Sequence, residues 1–100
     1  MRTHSQGDTL TVTGLERLTS ENADYFKTLT NSQLGNHHTA VEVDLSQTTM
    51  VDSFGLGALV SVHKRLCQRN GRLRLLNPQP QVKAVLELLK MNEILEIVHR

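Results

Sequence analysis

The chain has 100 residues, 38% of them apolar and 21% charged, with a formal net charge of +1. That length suits a single domain over residues 1–100, and so even a charge balance gives no electrostatic reason to expect nucleic acid or an anionic membrane as partner. The lone Cys67 has no internal disulfide partner, no apolar run approaches the ~20 residues of a membrane span, and Met1 to Asp8 carries no apolar leader core; the expectation is a cytoplasmic protein.

In chain order, Thr9-Leu10-Thr11-Val12-Thr13 alternates apolar and β-favouring polar residues and predicts a strand that Gly14 ends. Thr19 or Ser20 can cap a helix in which Ala23, Phe26, Leu29, Thr30, Gln33 and Leu34 recur at helical spacing, and Gly35-Asn36 stops it. Ala40 to Leu45 alternates again, with Glu42 and Asp44 facing away from the core, and Met50-Val51 extends the sheet briefly. From Gly55 to Gln68 a helix is predicted whose buried stripe is Leu56, Leu59, Val60, His63, Leu66 and Cys67, leaving Lys64, Arg65 and Arg69 as a solvated face.

Asn70-Gly71 ends that helix and Arg72 to Leu76 reads as a further strand. Pro78 and Pro80 fit only the first turn of the next helix, which buries Val82, Val85, Leu86 and Leu89. Ile94, Leu95, Ile97 and Val98 supply a last strand. Strands alternating with helices imply crossovers and an α/β fold with a small mixed sheet of about four strands and helices packed on it. The first seven residues and Asn36-His37-His38 are the segments expected to move most.

The informative loop is Ser46 to Gly57, because strand-to-helix turns present backbone amides that have no partner within the helix. Asp52 or Ser53 serves as a helix cap. Gly55 and Gly57 each cost about 1 kcal/mol against alanine in a helix, which points to close approach by a partner or by the neighbouring sheet. Asp52 either caps the helix only or also orients the Ser53 hydroxyl or contacts a partner, and Phe54 is either turned into the core or is an exposed anchor.

Asp52-Ser53, followed by Gly55-Leu56-Gly57-Ala58-Leu59, resembles the signature of the anti-sigma factor antagonists, whose fold is the STAS domain. In that family the motif reads Asp-Ser-Ser-Gly-Leu-Gly, and its first serine, by position Ser53, is phosphorylated by a partner anti-sigma factor kinase. The likeness runs on through Gly71 to Leu75, Asn77-Pro78, Gln81-Val82 and Val85 to Leu88, and covers about the last sixty residues. Phe54 stands where the family carries a second serine, and Leu15-Glu16-Arg17 where members often carry Glu-Leu-Asp. Many relatives add a further helix after the last strand, so a surface for homodimer formation is expected at the C-terminal end.

The resemblance implies an anti-sigma factor antagonist that binds an anti-sigma factor serine kinase, so freeing a sigma factor. Phosphorylation of Ser53 switches it off, and a phosphoserine phosphatase restores it. Asp52, Ser53, Phe54, Gly55, Leu56 and Gly57 are the expected partner-binding residues, with no cofactor. The alternative on the same fold is a STAS regulatory subunit of a transporter or of a larger signalling assembly.

Catalysis is disfavoured. A hydrolase elbow reads Gly-x-Ser-x-Gly, and Val51 stands where its first glycine belongs. His37-His38 lacks the further ligands a metal requires. His63 is expected to be a packed histidine, and Cys67 an inert buried thiol on the same face.

Overall fold

Residues that alternate in the sequence become the two faces of a mixed sheet. The computed structural model describes residues 1–100. Its order is β1 (Arg2–Gln6), β2 (Thr9–Thr13), β3 (Arg17–Leu18), α1 (Ala23–Gln33), β4 (Ala40–Asp44), β5 (Met50–Val51), α2 (Ser53–Cys67), β6 (Arg72–Leu76), α3 (Pro80–Leu88), a short 3-10 turn (Met91–Glu93) and β7 (Glu96–Val98). The main sheet has five strands ordered β1-β2-β4-β6-β7, and β3 and β5 form a separate two-stranded ribbon. Only β1 and β2 run antiparallel.

Each helix joins neighbouring parallel strands in the same direction across the sheet, so right-handed crossovers place all three on one face. Val12, Val43, Leu75 and Ile97 lie in register across that face. The core over them takes Phe26 from α1, Leu59 and Val62 from α2, and Val82 and Leu86 from α3. Burying one such side chain stabilises the fold by roughly 1.5–3 kcal/mol.

The opposite face carries the row Thr11, Glu42, Arg74 and Glu96. Glu42 points away from the helices as its alternation predicts, yet it is only 6% exposed. Two arginines cover it, with Arg74 Nε donating at 2.9 Å and Arg100 Nη2 at 2.6 Å. These bonds hold its carboxyl below the usual carboxylate range, Arg100 contributing most, against the opposing effect of burial.

The sheet has more strands than alternation indicated, because the polar segment Arg2–Gln6, expected to be mobile, pairs along the whole of β2. Gly7 at φ +60° lets the chain reverse between Gln6 and Thr9. Met50-Val51 pairs with Arg17-Leu18 in the ribbon and does not join the main sheet. Asn22, not Thr19 or Ser20, is the cap residue of α1, and its Oδ1 accepts the Thr19 amide at 2.9 Å.

The buried stripe of α2 is Gly55, Leu56, Ala58, Leu59, Val62 and Leu66. Val60 and His63 are half-buried and Cys67 is exposed, so the expected stripe is rotated by about one residue. Both stripes have helical period, and packing against α1 and β6 selects between them. At the far end, α3 stops at Leu88, which leaves Leu88 81% and Leu89 50% exposed. Ile94 lies outside β7, and Pro78 precedes the cap residue Gln79, so only Pro80 occupies the first turn of α3.

Candidate functional site

The start of α2 is fixed by one carboxylate with two tasks. Asp52 is its extended cap residue; Oδ1 accepts the Gly55 amide at 2.9 Å and Oδ2 accepts the Ser20 amide at 3.0 Å. The first bond satisfies an amide that the helix cannot. The second fastens α2 to the segment that leads into α1. The Gly55 amide foremost, aided by Ser20, holds the Asp52 carboxyl below its ordinary range despite some desolvation. It is therefore an anion at neutral pH.

Ser53 is the first residue of α2 and is exposed. Its neighbour Phe54 is 65% exposed, which removes the inward-turned alternative, and Met50 is 58% exposed two residues before the cap. Periodicity did not single out Met50. The signal available was its alternation with Val51, which packs against the core while Met50 faces out.

The two glycines differ in kind. A Cβ on Gly55 would collide with the backbone carbonyl of Leu18, whereas one on Gly57 would meet nothing within 4 Å. Gly55 thus allows α2 to pack on the β3–β5 ribbon, and Gly57 answers no demand of the fold. Leu56 is only 5% exposed, so its main contribution is to the core.

Beside α2 runs a groove of about 780 Å³, open to solvent. Ser53 stands at its upper end, Gly57 and Val60 follow, Lys64 lies further down, and Leu89 and Met91 form part of the far wall.

The histidines do not join this site. His38 is 2% exposed and structural: Nδ1 accepts the Gly35 amide at 2.8 Å, and Nε2 lies 2.7 Å from the Ser5 hydroxyl. A ring that accepts at Nδ1 carries its proton at Nε2 and donates to Ser5. Desolvation, then His37 and Arg69, lower its pKa. His63 Nε2 is 3.5 Å from the exposed Cys67 Sγ on the outer side of α2. No group of three or more His, Cys, Asp or Glu is placed to hold a metal, and no helix is long and apolar enough to cross a membrane.

Known proteins share this fold. The family model described as the STAS domain matches residues 1–99. A Thermotoga maritima protein named as a candidate anti-sigma factor antagonist is 30% identical over 83 residues, covering 82% of this chain and 74% of that one. The crystal structure of a candidate anti-sigma factor antagonist from Thermotoga maritima superposes with a TM-score of 0.90 at 25% identity, covering 99% of this chain and 85% of that one. The antagonist SpoIIAA in its unphosphorylated form superposes with a TM-score of 0.84 at 17% identity, over 99% of this chain and 86% of that one, a likeness of fold.

Proposed function

The chain belongs to the STAS-domain family, and from that premise we propose that it is an anti-sigma factor antagonist controlled by phosphorylation of Ser53. The observation that carries this reading is the exposed Ser53 at the first position of α2, flanked by a capping Asp52 and an exposed Phe54. In its unphosphorylated state the protein docks an anti-sigma factor serine kinase through Asp52, Ser53, Phe54 and Gly57, with Gly55 and Leu56 holding that surface in shape. The sigma factor held by the kinase is thereby freed. A phosphoserine phosphatase resets the protein, the cycle runs in the cytoplasm, and the chain itself performs no catalysis.

The chemistry of the switch follows from the position. Transfer of the γ-phosphoryl group from the kinase's ATP to Ser53 Oγ, with loss of the hydroxyl proton and release of ADP, adds about −1.5 to −2 charges. At a helix N-terminus such a charge gains roughly 0.3–1 kcal/mol from the dipole. The Asp52 carboxylate next to it opposes that gain, so the fold changes little either way. In an interface fitted to a neutral hydroxyl, the same charge loses hydration with no matching cation. Such a loss amounts to roughly several kcal/mol, and about 1.4 kcal/mol is already tenfold in affinity.

The test uses the cognate kinase and ATP, with mass spectrometry for the modified residue and calorimetry for binding. One phosphate on Ser53 is expected, with Ser53→Ala remaining bound and Ser53→Asp binding more weakly than Ser53→Ala. Equal affinity for Ser53→Ala, Ser53→Asp and the phosphorylated chain, all folded, overturns the mechanism.

A further inference from the structure

We propose that the α2 groove from Gly57 to Gln68, beyond Ser53, docks an acidic amphipathic helix of a protein partner. The stretch from Gly57 to Gln68 spans about 16 Å at 1.5 Å per residue, the length of about three helical turns. Its lining includes Val60, Leu89 and Met91, and its only charged members are Lys64 and Arg65. Leu89 is 50% exposed, and Met91 in the same lining packs against the core. A partner helix that lays an apolar stripe along this wall removes that surface from water.

Charge selects the partner's flank. Lys64 and Arg65 are exposed and neither takes part in an ion pair. The neighbouring Arg69 is not free in the same way, since its guanidinium donates to the carbonyls of Gly35 and His38. Two unpaired cations in a groove lined otherwise by apolar and neutral polar residues, with no carboxylate, complement Glu or Asp on a partner and repel a basic one. No aromatic ring lines the groove, so a nucleobase would find nothing to stack on. Gly57 supplies the close approach, because the space its missing Cβ leaves is empty and the fold does not use it.

This contact adjoins the Ser53 docking surface, sharing Gly57 with it, and deepens the proposed function by adding a second point of attachment. A photo-crosslinking phenylalanine analogue replaces Ser61, an exposed residue of the groove lining, in cells of the source organism; in a parallel strain it replaces Phe54. The expected product at position 61 is a covalent link to a segment of another protein with helical apolar spacing and at least two carboxylates. A synthetic peptide of that segment is then expected to bind Lys64→Glu/Arg65→Glu about tenfold more weakly than wild type, with unchanged thermal stability, since rim charges tune recognition. A link to a second copy of this chain, a segment without carboxylates, no link at position 61, or unchanged affinity after charge reversal each overturns the inference. Loss of the link at position 54 alone counts against the Ser53 docking surface and leaves the groove standing.

Discussion

Asp52 Oδ2 accepts the backbone amide of Ser20 at 3.0 Å across 32 positions of sequence. The residue that starts α2 is thus also the residue that ties α2 to the chain entering α1, and Ser53 sits directly beside this joint. Asp52→Asn keeps an acceptor for the Gly55 amide but replaces one carboxylate oxygen with an amide donor, so the bond to Ser20 is lost. Urea denaturation is expected to rank wild type above Asp52→Asn and Asp52→Asn above Asp52→Ala. If Asp52→Asn is also phosphorylated at the wild-type rate, the carboxylate has no part in the kinase reaction beyond capping.

The two glycines of α2 are expected to respond in opposite directions. Gly55→Ala forces the Leu18 carbonyl aside and is expected to destabilise the fold by about 1–3 kcal/mol, as overpacking does. Gly57→Ala meets open space and is expected to stabilise it by about 0.5–1 kcal/mol through helix propensity. Reduced partner affinity in this more stable variant marks Gly57 as a contact residue. Thermal denaturation and calorimetry on the same preparations separate the two effects, and a destabilised Gly57→Ala contradicts the packing described.

Phe54 is 65% exposed, so Phe54→Ala is expected to change stability by no more than about 0.5 kcal/mol. Affinity for the kinase is expected to fall by about 1–3 kcal/mol, the range of an interface anchor. A large drop in thermal midpoint with affinity unchanged assigns Phe54 to packing instead.

Glu42 links β4 to Arg74 and to Arg100 beyond β7. Its pKa is lowered in the folded chain from 4.5, so its contribution to stability is fully present above that value and is lost as pH falls through the folded value. Glu42→Gln is expected to be less stable than wild type at pH 7, with the difference shrinking as the solution is acidified below the ordinary carboxylate range. A difference independent of pH indicates that packing, not charge, is what the substitution removed.

His38 gives a second window at higher pH. Its folded pKa is lowered from 6.5, so the unfolded chain takes up the proton first and stability declines as pH drops below about 6.5. Protonation puts a hydrogen on Nδ1, where the Gly35 amide donates. Nitrogen-detected NMR of the ring is expected to report the Nε2-protonated neutral form at pH 7. A His38 titration at or above 6.5 contradicts this buried, Nδ1-accepting ring.

Local pattern determined much of this protein. The alternation at Thr9–Thr13, Ala40–Asp44 and Arg72–Leu76 was legible because a half-buried strand must repeat every two residues. The motif around Ser53 was legible because a cap, an exposed serine and a helix start are consecutive in the chain. Tertiary structure alone decided what depends on distant partners. Arg2–Gln6 has no apolar period and becomes a strand because β2 offers an open edge. Val62, not Val60, faces the core because α1 and β6 choose between two stripes that the helical period leaves equivalent. His38 is buried because Ser5, from a strand the pattern did not announce, meets it across 33 residues. The two glycines of the motif look alike in sequence. Only the Leu18 carbonyl, brought against Gly55 by the β3–β5 ribbon, makes one a requirement of the fold and leaves the other free for a partner.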